Sequence, residues 1–382
     1  MSLVRGLIAL TLIAGLYIFG PVKLVGFETI SVEAASAPQQ ALPAPLGHLN
    51  KTALPEPSQQ QQTTLPAPAD EPEINQPLDR ARVETAWRDW MARHKITKSA
   101  MALGAEGTVL HTAGMSRDAD TAYPVASLSK AVTAMCLNTL LAQSPYDWNS
   151  PISDLTHVWR DLNTTPHPQI AKLPLSSFVT HTSGLPKNID ADETAGEGRN
   201  LYTQIHFARS ALRDPAHLEQ RRKHVYSNVN YAILGQIIEG MSGRSYGDTC
   251  FDITMAPAGA LGAQVGGRMW ATAGFGGWSV SASDYARFLM HWHSPDRPWS
   301  SDPAAFAYDR KSGAGLGVFH RYKDDRHTMS HTGLWRSKTP ARRAGAIFVA
   351  SDTGAVFVAN WQGSLKSAAY SDLRKSITTA LH

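Results

Sequence analysis

Tyr123-Pro-Val-Ala-Ser127-Leu-Ser-Lys130-Ala-Val-Thr-Ala-Met135 is the stretch from which this chain is best read. A small residue, Ala126, leads into an apolar run that reads as a helix beginning near Ser127. Residues three apart on a helix share a face, so the spacing makes the Ser127 hydroxyl and the Lys130 ammonium neighbours. That pairing suits a nucleophile and its base. A lysine accepts a proton only where burial or other cations lower its pKa, and the positive end of a helix favours an alkoxide-like serine. Alone the motif is weak, because a serine cap with a solvated lysine one turn on has the same spelling.

Two further stretches change its weight. Tyr226-Ser227-Asn228 precedes a segment with Ile233, Leu234, Ile237, Ile238 and Met241 on one helical face, which places Tyr226 and Asn228 on the loop that starts that helix. In extended backbone, residues two apart point the same way, so a phenol and a carboxamide reach one cleft together. A phenol beside a lysine can share a proton with it. His331-Thr332-Gly333-Leu334 stands before an apolar hairpin; Gly333 lets a substrate backbone approach an edge strand, and His331 or Thr332 can hold a carboxylate or carbonyl. Each stretch alone also reads as an ordinary cap or turn.

Outward from these motifs, Val83, Ala86, Trp87, Trp90 and Met91 carry helical spacing and form the first helix of the body. Ala100 to Leu103 and Thr108 to Thr112 flank Ala105-Glu106-Gly107 as a hairpin; Ala346 to Ala350 and Ala355 to Ala359 form a second. Leu365, Ala369, Leu373 and Ile377 lie on one face of a final helix. The ends thus supply helix and antiparallel strands, while residues 127–287 are mostly helix and loop. The expected fold class is α+β, an antiparallel sheet flanked by terminal helices with an inserted all-helical lobe.

Taken in order, Ser-x-x-Lys, Tyr-x-Asn and His-Thr-Gly resemble the serine β-lactamase and penicillin-binding-protein superfamily, in the branch of class C β-lactamases, DD-peptidases and related esterases. Phe178-Val-Thr-His181-Thr-Ser-Gly184-Leu-Pro186 is similar to that branch's His-Thr-Ser-Gly-Leu loop, and Gly276-Gly-Trp-Ser-Val-Ser281 to its Gly-Gly-x-x-Ser helix start. The resemblance runs from about Ala81 to the C-terminus. It implies the β-lactamase/DD-peptidase-like fold and acyl transfer without metal or organic cofactor. It further implies Ser127 as the acylated nucleophile, Lys130 as its base and Tyr226 as the acid/base for the leaving group. Asn228 would orient the substrate amide, His331, Thr332 and Gly333 would line the strand edge, and the backbone N–H groups of Ser127 and Leu334 would form the oxyanion hole. The implied substrates are peptidoglycan-type peptide amides or a β-lactam. An esterase on small acyl esters is the alternative within the same chemistry, and a scaffold that keeps the fold without turnover is the rival from another class.

The chain departs from the pattern where class C β-lactamases carry Lys-Thr-Gly. His331 there removes a fixed cation from the place where a β-lactam carboxylate binds. Glu219-Gln-Arg-Arg-Lys-His224 replaces the usual Pro-Gly, and Arg336, Lys338, Arg342 and Arg343 make a second basic rim, either a solvated face or a recognition surface for an acidic group. Gly243-Arg-Ser245-Tyr-Gly247 spells a nucleophile elbow, but it follows a helix rather than a strand. His291-Trp-His293 lacks further ligands in metal spacing, and Gly313-Ala-Gly-Leu-Gly317 lacks the Lys-Ser/Thr of a phosphate loop, reading instead as the start of a strand beneath the site.

Across 382 residues, 43% hydrophobic and 18% charged composition rules out full-length disorder, and two cysteines cannot frame a disulfide miniprotein. Cys136 and Cys250 are either one bridge or two thiols. A net charge of +4 without a dense Lys/Arg run gives no nucleic-acid arm. Residues 1–26 carry the apolar run from Gly6 to Phe19 and read as a membrane anchor, or a signal segment cleaved near Ala35-Ser-Ala37. Residues 27–76, rich in proline with Gln59 to Gln62, read as a disordered tether, and 77–382 as the serine hydrolase domain. An inner-membrane, extracytoplasmic protein with its membrane contact through the N-terminal segment follows from that order, with secretion after cleavage as the alternative.

Overall fold

Asp79 accepts a hydrogen bond from the Arg82 backbone N–H and starts helix α1, Arg80–His94, whose Val83, Trp87, Trp90 and Met91 are fully buried in one stripe. A computed structural model of the chain describes residues 78–185, 204–215, 218, 223–265, 272–337 and 339–382. The expected anchor and tether lie outside the described residues, among which no helix is long and apolar enough to cross a membrane.

The strands are β1 Ser99–Ala105, β2 Thr108–Met115, β3 Tyr123–Pro124, β4 Gln264–Val265, β5 Trp278–Val280, β6 Tyr308–Asp309, β7 Ala314–Gly315, β8 Val318–Lys323, β9 Arg326–Trp335, β10 Ala344–Ser351 and β11 Val356–Gln362. Eight of them form one antiparallel sheet in the order β2-β1-β11-β10-β9-β8-β7-β6, so the two ends of the domain meet at the β1–β11 pair. Glu106 and Gly107 both take positive φ in the β1–β2 turn, the conformation that matches strand twist.

The sheet is covered on both faces, and β1 and β10 accordingly read as continuous apolar runs instead of alternating ones. Met101, Leu103, Ile347, Val349, Phe357 and Ala359 pack with α1 and the last helix, and the Trp90 indole N–H donates to the Ala369 carbonyl at 2.9 Å. The opposite face carries Ala100, Ala102, Phe348 and Val358 into a core shared with α2, Ser129–Leu141. That core continues into α3, Gln204–Arg213, α4, Asn228–Ser242, and α5, Ala282–Trp292. The last helix, α6, runs Ser367–Ala380, so Leu365 precedes its cap but still packs on the same cluster.

The expected α+β architecture is present, with one correction to its helical lobe. A second, three-stranded sheet in the order β3-β5-β4 sits there. Its strands are two or three residues long, too short to leave an alternation in the sequence. Cys136 of α2 and Cys250 are disulfide-bonded, closing the question the spacing had left open.

Candidate active site

Val125 and Ala126 set the geometry of Ser127. The Val125 N–H donates to the Trp278 carbonyl at 3.0 Å, tying the chain to β5. Ala126 then takes φ +48°, a left-handed conformation that a β-carbon makes costly by about 1–3 kcal/mol. A single 3₁₀ turn, Ala126–Leu128, follows before α2 begins at Ser129. Three bonds hold this junction: the Leu128 carbonyl accepts from the Tyr285 hydroxyl at 2.8 Å, the Ser129 hydroxyl accepts from the Trp278 N–H at 3.1 Å, and the Thr133 hydroxyl donates to the Gly274 carbonyl at 2.6 Å. Strain at one residue, held by its surroundings, presents Ser127 half-exposed at the surface of an otherwise closed core.

Lys130 is wholly buried. Its ammonium donates to the Ser127 hydroxyl at 3.3 Å, the Asn228 side-chain oxygen at 2.8 Å and the Phe275 carbonyl at 2.9 Å. It lies 4.8 Å from the Tyr226 ring centre and 5.6 Å from that of Tyr231, inside cation–π range. Ser127, Lys130, Tyr226 and Asn228, scattered over 102 positions of sequence, are thus one cluster. Ser227 caps α4 in extended conformation, φ −141° and ψ 128°, which sends Tyr226 and Asn228 the same way as the spacing required.

His331 joins the cluster from β9. Its ring stacks 5.3 Å from Phe319 and lies 6.1 Å from Tyr226. Burial beside Lys130 and Arg321 drives its pKa to about 3, against the pull of a hydrogen bond with the Ser127 backbone, so the imidazole is neutral at physiological pH. The position that carries lysine in class C β-lactamases therefore carries no charge here.

The rest of the His-Thr-Gly segment behaves differently from expectation. β9 is not an edge strand, since β8 and β10 flank it. Pairing with β8 ends at Ser330, however, so among the described residues His331 to Trp335 has a strand partner only in β10. The edge is local. Gly333 also meets a packing demand: a β-carbon there would lie 2.1 Å from the Val125 carbonyl oxygen. It lets β9 pass against the turn that carries Ser127. Thr332 is exposed, and Leu334 stands opposite Gly345 of β10.

Sequence reasoning assigned no role to three neighbours. His181, with φ +59°, is buried with its ring 4.4 Å from Tyr226, and its Nδ1 accepts the Ser227 N–H at 3.2 Å. Burial and the Lys130 charge hold it well below the ordinary imidazole pKa. The His-Thr-Ser-Gly loop was visible in the sequence, but its contact with Tyr226 crosses 45 positions. Phe275 acts through its carbonyl, which no side-chain pattern records. Gly317 at φ +80° would put a β-carbon 2.5 Å from the Lys130 carbonyl, so the β7–β8 turn presses on the first turn of α2.

The decoys resolve. Ser245 follows helix α4 and the left-handed Gly243, and its hydroxyl accepts the Asp248 N–H as a helix cap. His293 is buried with its pKa pushed down to about 3 by desolvation, and no cluster among the described residues can hold a metal. Of the two basic rims, residues 219–222 and Lys338 lie outside the described residues.

The fold and the Ser127–Lys130–Asn228 cluster define a protein of the serine β-lactamase and penicillin-binding-protein superfamily, the class that the three motifs resemble. The chain belongs to the family described as Beta-lactamase, which matches residues 80–377. It is 26% identical over 127 residues to protein flp of Staphylococcus aureus, covering 33% of this chain and 24% of that protein. It is 25% identical over 138 residues to the teichoic acid D-alanine hydrolase of Staphylococcus aureus, covering 36% and 31%. The matches thus span about a quarter to a third of the length of these curated relatives. Among solved structures it is similar to the octameric penicillin-binding protein homologue from Pyrococcus abyssi, with TM-score 0.62 at 16% identity over 79% of this chain and 77% of that one. It is also similar to a class C β-lactamase from Rhodobacter sphaeroides, with TM-score 0.57 at 14% identity over 78% and 98%. The family match shows the family, and the structural likenesses show the fold.

Proposed function

We propose that the protein is a serine hydrolase that transfers a D-amino-acyl group, from a peptide-like amide of the D-Ala-D-Ala kind, through an ester on Ser127. The observation that carries this reading is the buried Lys130 ammonium, bonded at once to the Ser127 hydroxyl and to Asn228. In this mechanism Lys130, in its neutral form, takes the Ser127 proton as the hydroxyl oxygen attacks the substrate carbonyl. The backbone N–H groups of Ser127 and Leu334 receive the negative oxygen, a contribution of roughly 10²–10³ in rate per donor. Tyr226, against the Lys130 ammonium, passes a proton to the leaving nitrogen as the C–N bond breaks. Water, deprotonated by Tyr226 or Lys130, then attacks the acyl ester and releases Ser127. Asn228 orients both the ammonium and the substrate amide.

His331 is neutral, so the cation that meets a β-lactam carboxylate in class C β-lactamases is missing at this position of β9. A second reading, release of D-alanine from an ester, draws support from the similarity to the teichoic acid D-alanine hydrolase. The disulfide between Cys136 and Cys250 supports an oxidising, extracytoplasmic location, with residues 1–76 as anchor and tether.

Intact-mass analysis with a fluorescent penicillin, a D-Ala-D-Ala peptide and a D-alanyl ester, beside Ser127→Ala and Lys130→Met, tests the proposal. A Ser127-dependent adduct and release of D-alanine from the peptide are expected. Turnover of the ester alone would replace the amide reading with the ester one, and no adduct with any of the three would refute the acyl-enzyme.

A further inference from the structure

On the far side of β9 from α2 lies a cavity of about 610 Å³, between β8, β9 and the start of α6. His331 and Thr332 reach it, so it opens along the same strand segment that bounds the Ser127 cluster. Four cations line it: Arg321 from β8, Arg336 just past β9, and Lys366 and Arg374 at the cap and within α6. No acidic residue is among its lining residues. Asp372, the acid nearest in sequence, is engaged elsewhere, in ion pairs with Arg93 and His94 of α1.

Arg321, Arg336 and Lys366 are exposed and Arg374 is half-buried, but the face has internal order. Arg321 donates to the Ser330 hydroxyl at 2.6 Å, which pins its guanidinium against the strand. Its pKa is lowered by partial burial and by the charge of Arg374, so two like charges of this lining lie close enough to interact. The N-terminus of α6, a helix of 14 residues, ends at Lys366 and adds its positive dipole end to the same wall. Ser367 and Ser371 are among the lining residues too.

One guanidinium fork suffices for a carboxylate, whereas four cations and two serines lining one cavity match a group with more charge and more acceptor oxygens. We propose that this cavity is the subsite for a phosphate-bearing part of the substrate, held beside the acylation site by Arg321, Arg336, Lys366 and Arg374. The proposal rests on the acyl-transfer reading only for what happens at Ser127; the anion site itself does not depend on it.

The test has two arms, both on the full chain. Titration with inorganic phosphate, against acetate at equal ionic strength, is followed by calorimetry in wild type, Ser127→Ala, Arg336→Gln and Arg374→Gln. Saturable phosphate binding that survives Ser127→Ala and weakens about tenfold in each arginine variant is expected, the loss of one charge-assisted contact. The kinetic arm compares two D-alanyl substrates, identical except for a phosphate on the alcohol or amine portion. The phosphate-bearing one should show a KM about tenfold lower, and Arg374→Gln should abolish that advantage. Equal binding of acetate and phosphate, indifference to both arginine variants, or equal KM for the two substrates would each overturn the proposal. Phosphate binding in a protein that never acylates at Ser127 would leave the anion site standing and remove the hydrolase reading.

Discussion

Gly333→Ala isolates the junction on which the site depends. The added methyl would sit 2.1 Å from the Val125 carbonyl oxygen, against 3.4 Å where ordinary contact begins, so β9 and the Ser127 turn must separate by about 1.3 Å. Neither partner is a flexible side-chain end. One is strand backbone paired with Ala346, the other the residue before the strained Ala126. Overpacking of this kind costs about 1–3 kcal/mol in stability. The catalytic cost is larger, since a displacement near 1 Å lowers rates about 10²-fold. The assay is the acylation rate of Ser127 by fluorescent penicillin, read by intact mass, with p-nitrophenyl acetate turnover as a second measure and thermal unfolding alongside. Gly345→Ala is the control: its methyl would meet the Trp361 ring at 2.2 Å on the other face of the sheet, away from the Ser127 turn. It should lower the melting temperature with a smaller effect on acylation. If Gly333→Ala acylates within threefold of wild type, the reasoning that β9 positions the nucleophile through Val125 is wrong.

Removing the His181 ring should unfasten Ser227 and Tyr226 together. His181→Ala is expected to lower kcat about tenfold or more at nearly constant KM, with partial rescue by His181→Asn, which restores an acceptor; a change in KM alone would show a merely structural role. His293, His320 and His331 all have folded pKa values of about 3 against an ordinary 6.5. The unfolded chain therefore binds more protons between those values, and stability, fully present above pH 6.5, falls as the pH drops toward 3. The expected loss is about 1.4 kcal/mol per histidine for each pH unit below 6.5; denaturant melts from pH 7.5 to 4.5 with a flat midpoint would contradict it. Reduction of the disulfide, which closes a 114-residue separation, should cost about 2–5 kcal/mol. An unchanged melting temperature in the Cys136→Ser, Cys250→Ser double variant would refute that.

How much was legible depends on how local each signal is. The helix α1, the two hairpins and the entry of α4 behind Tyr226-Ser227-Asn228 rest on neighbours within a few residues, and their boundaries lay close to expectation. The strands β6 and β7, like the small β3-β5-β4 sheet, are two or three residues long and leave no period to read. Gly333 was singled out as a place of close approach by substrate, and the packing adds Val125 as a close neighbour: a glycine announces that something comes close but does not say what. The basic rim was read from Arg336, Lys338, Arg342 and Arg343, which are near one another in sequence. The cavity instead gathers Arg336 with Arg321, Lys366 and Arg374, residues that no window of sequence places together.

By itself the sequence determined the chemical inventory: a serine three residues before a lysine, a phenol two before a carboxamide, and a histidine where a cation is usual, in an order that resembles one superfamily. Tertiary structure alone decided the distances from Lys130, the neutrality of His331, the hold of His181 on Tyr226 and the Cys136–Cys250 bridge. The reason is physical. Helical and extended spacing fixes directions only over a turn or two of chain, whereas charge state and hydrogen-bond reach depend on what lies within a few ångströms, which here is set by β9, α2 and α4 packing together.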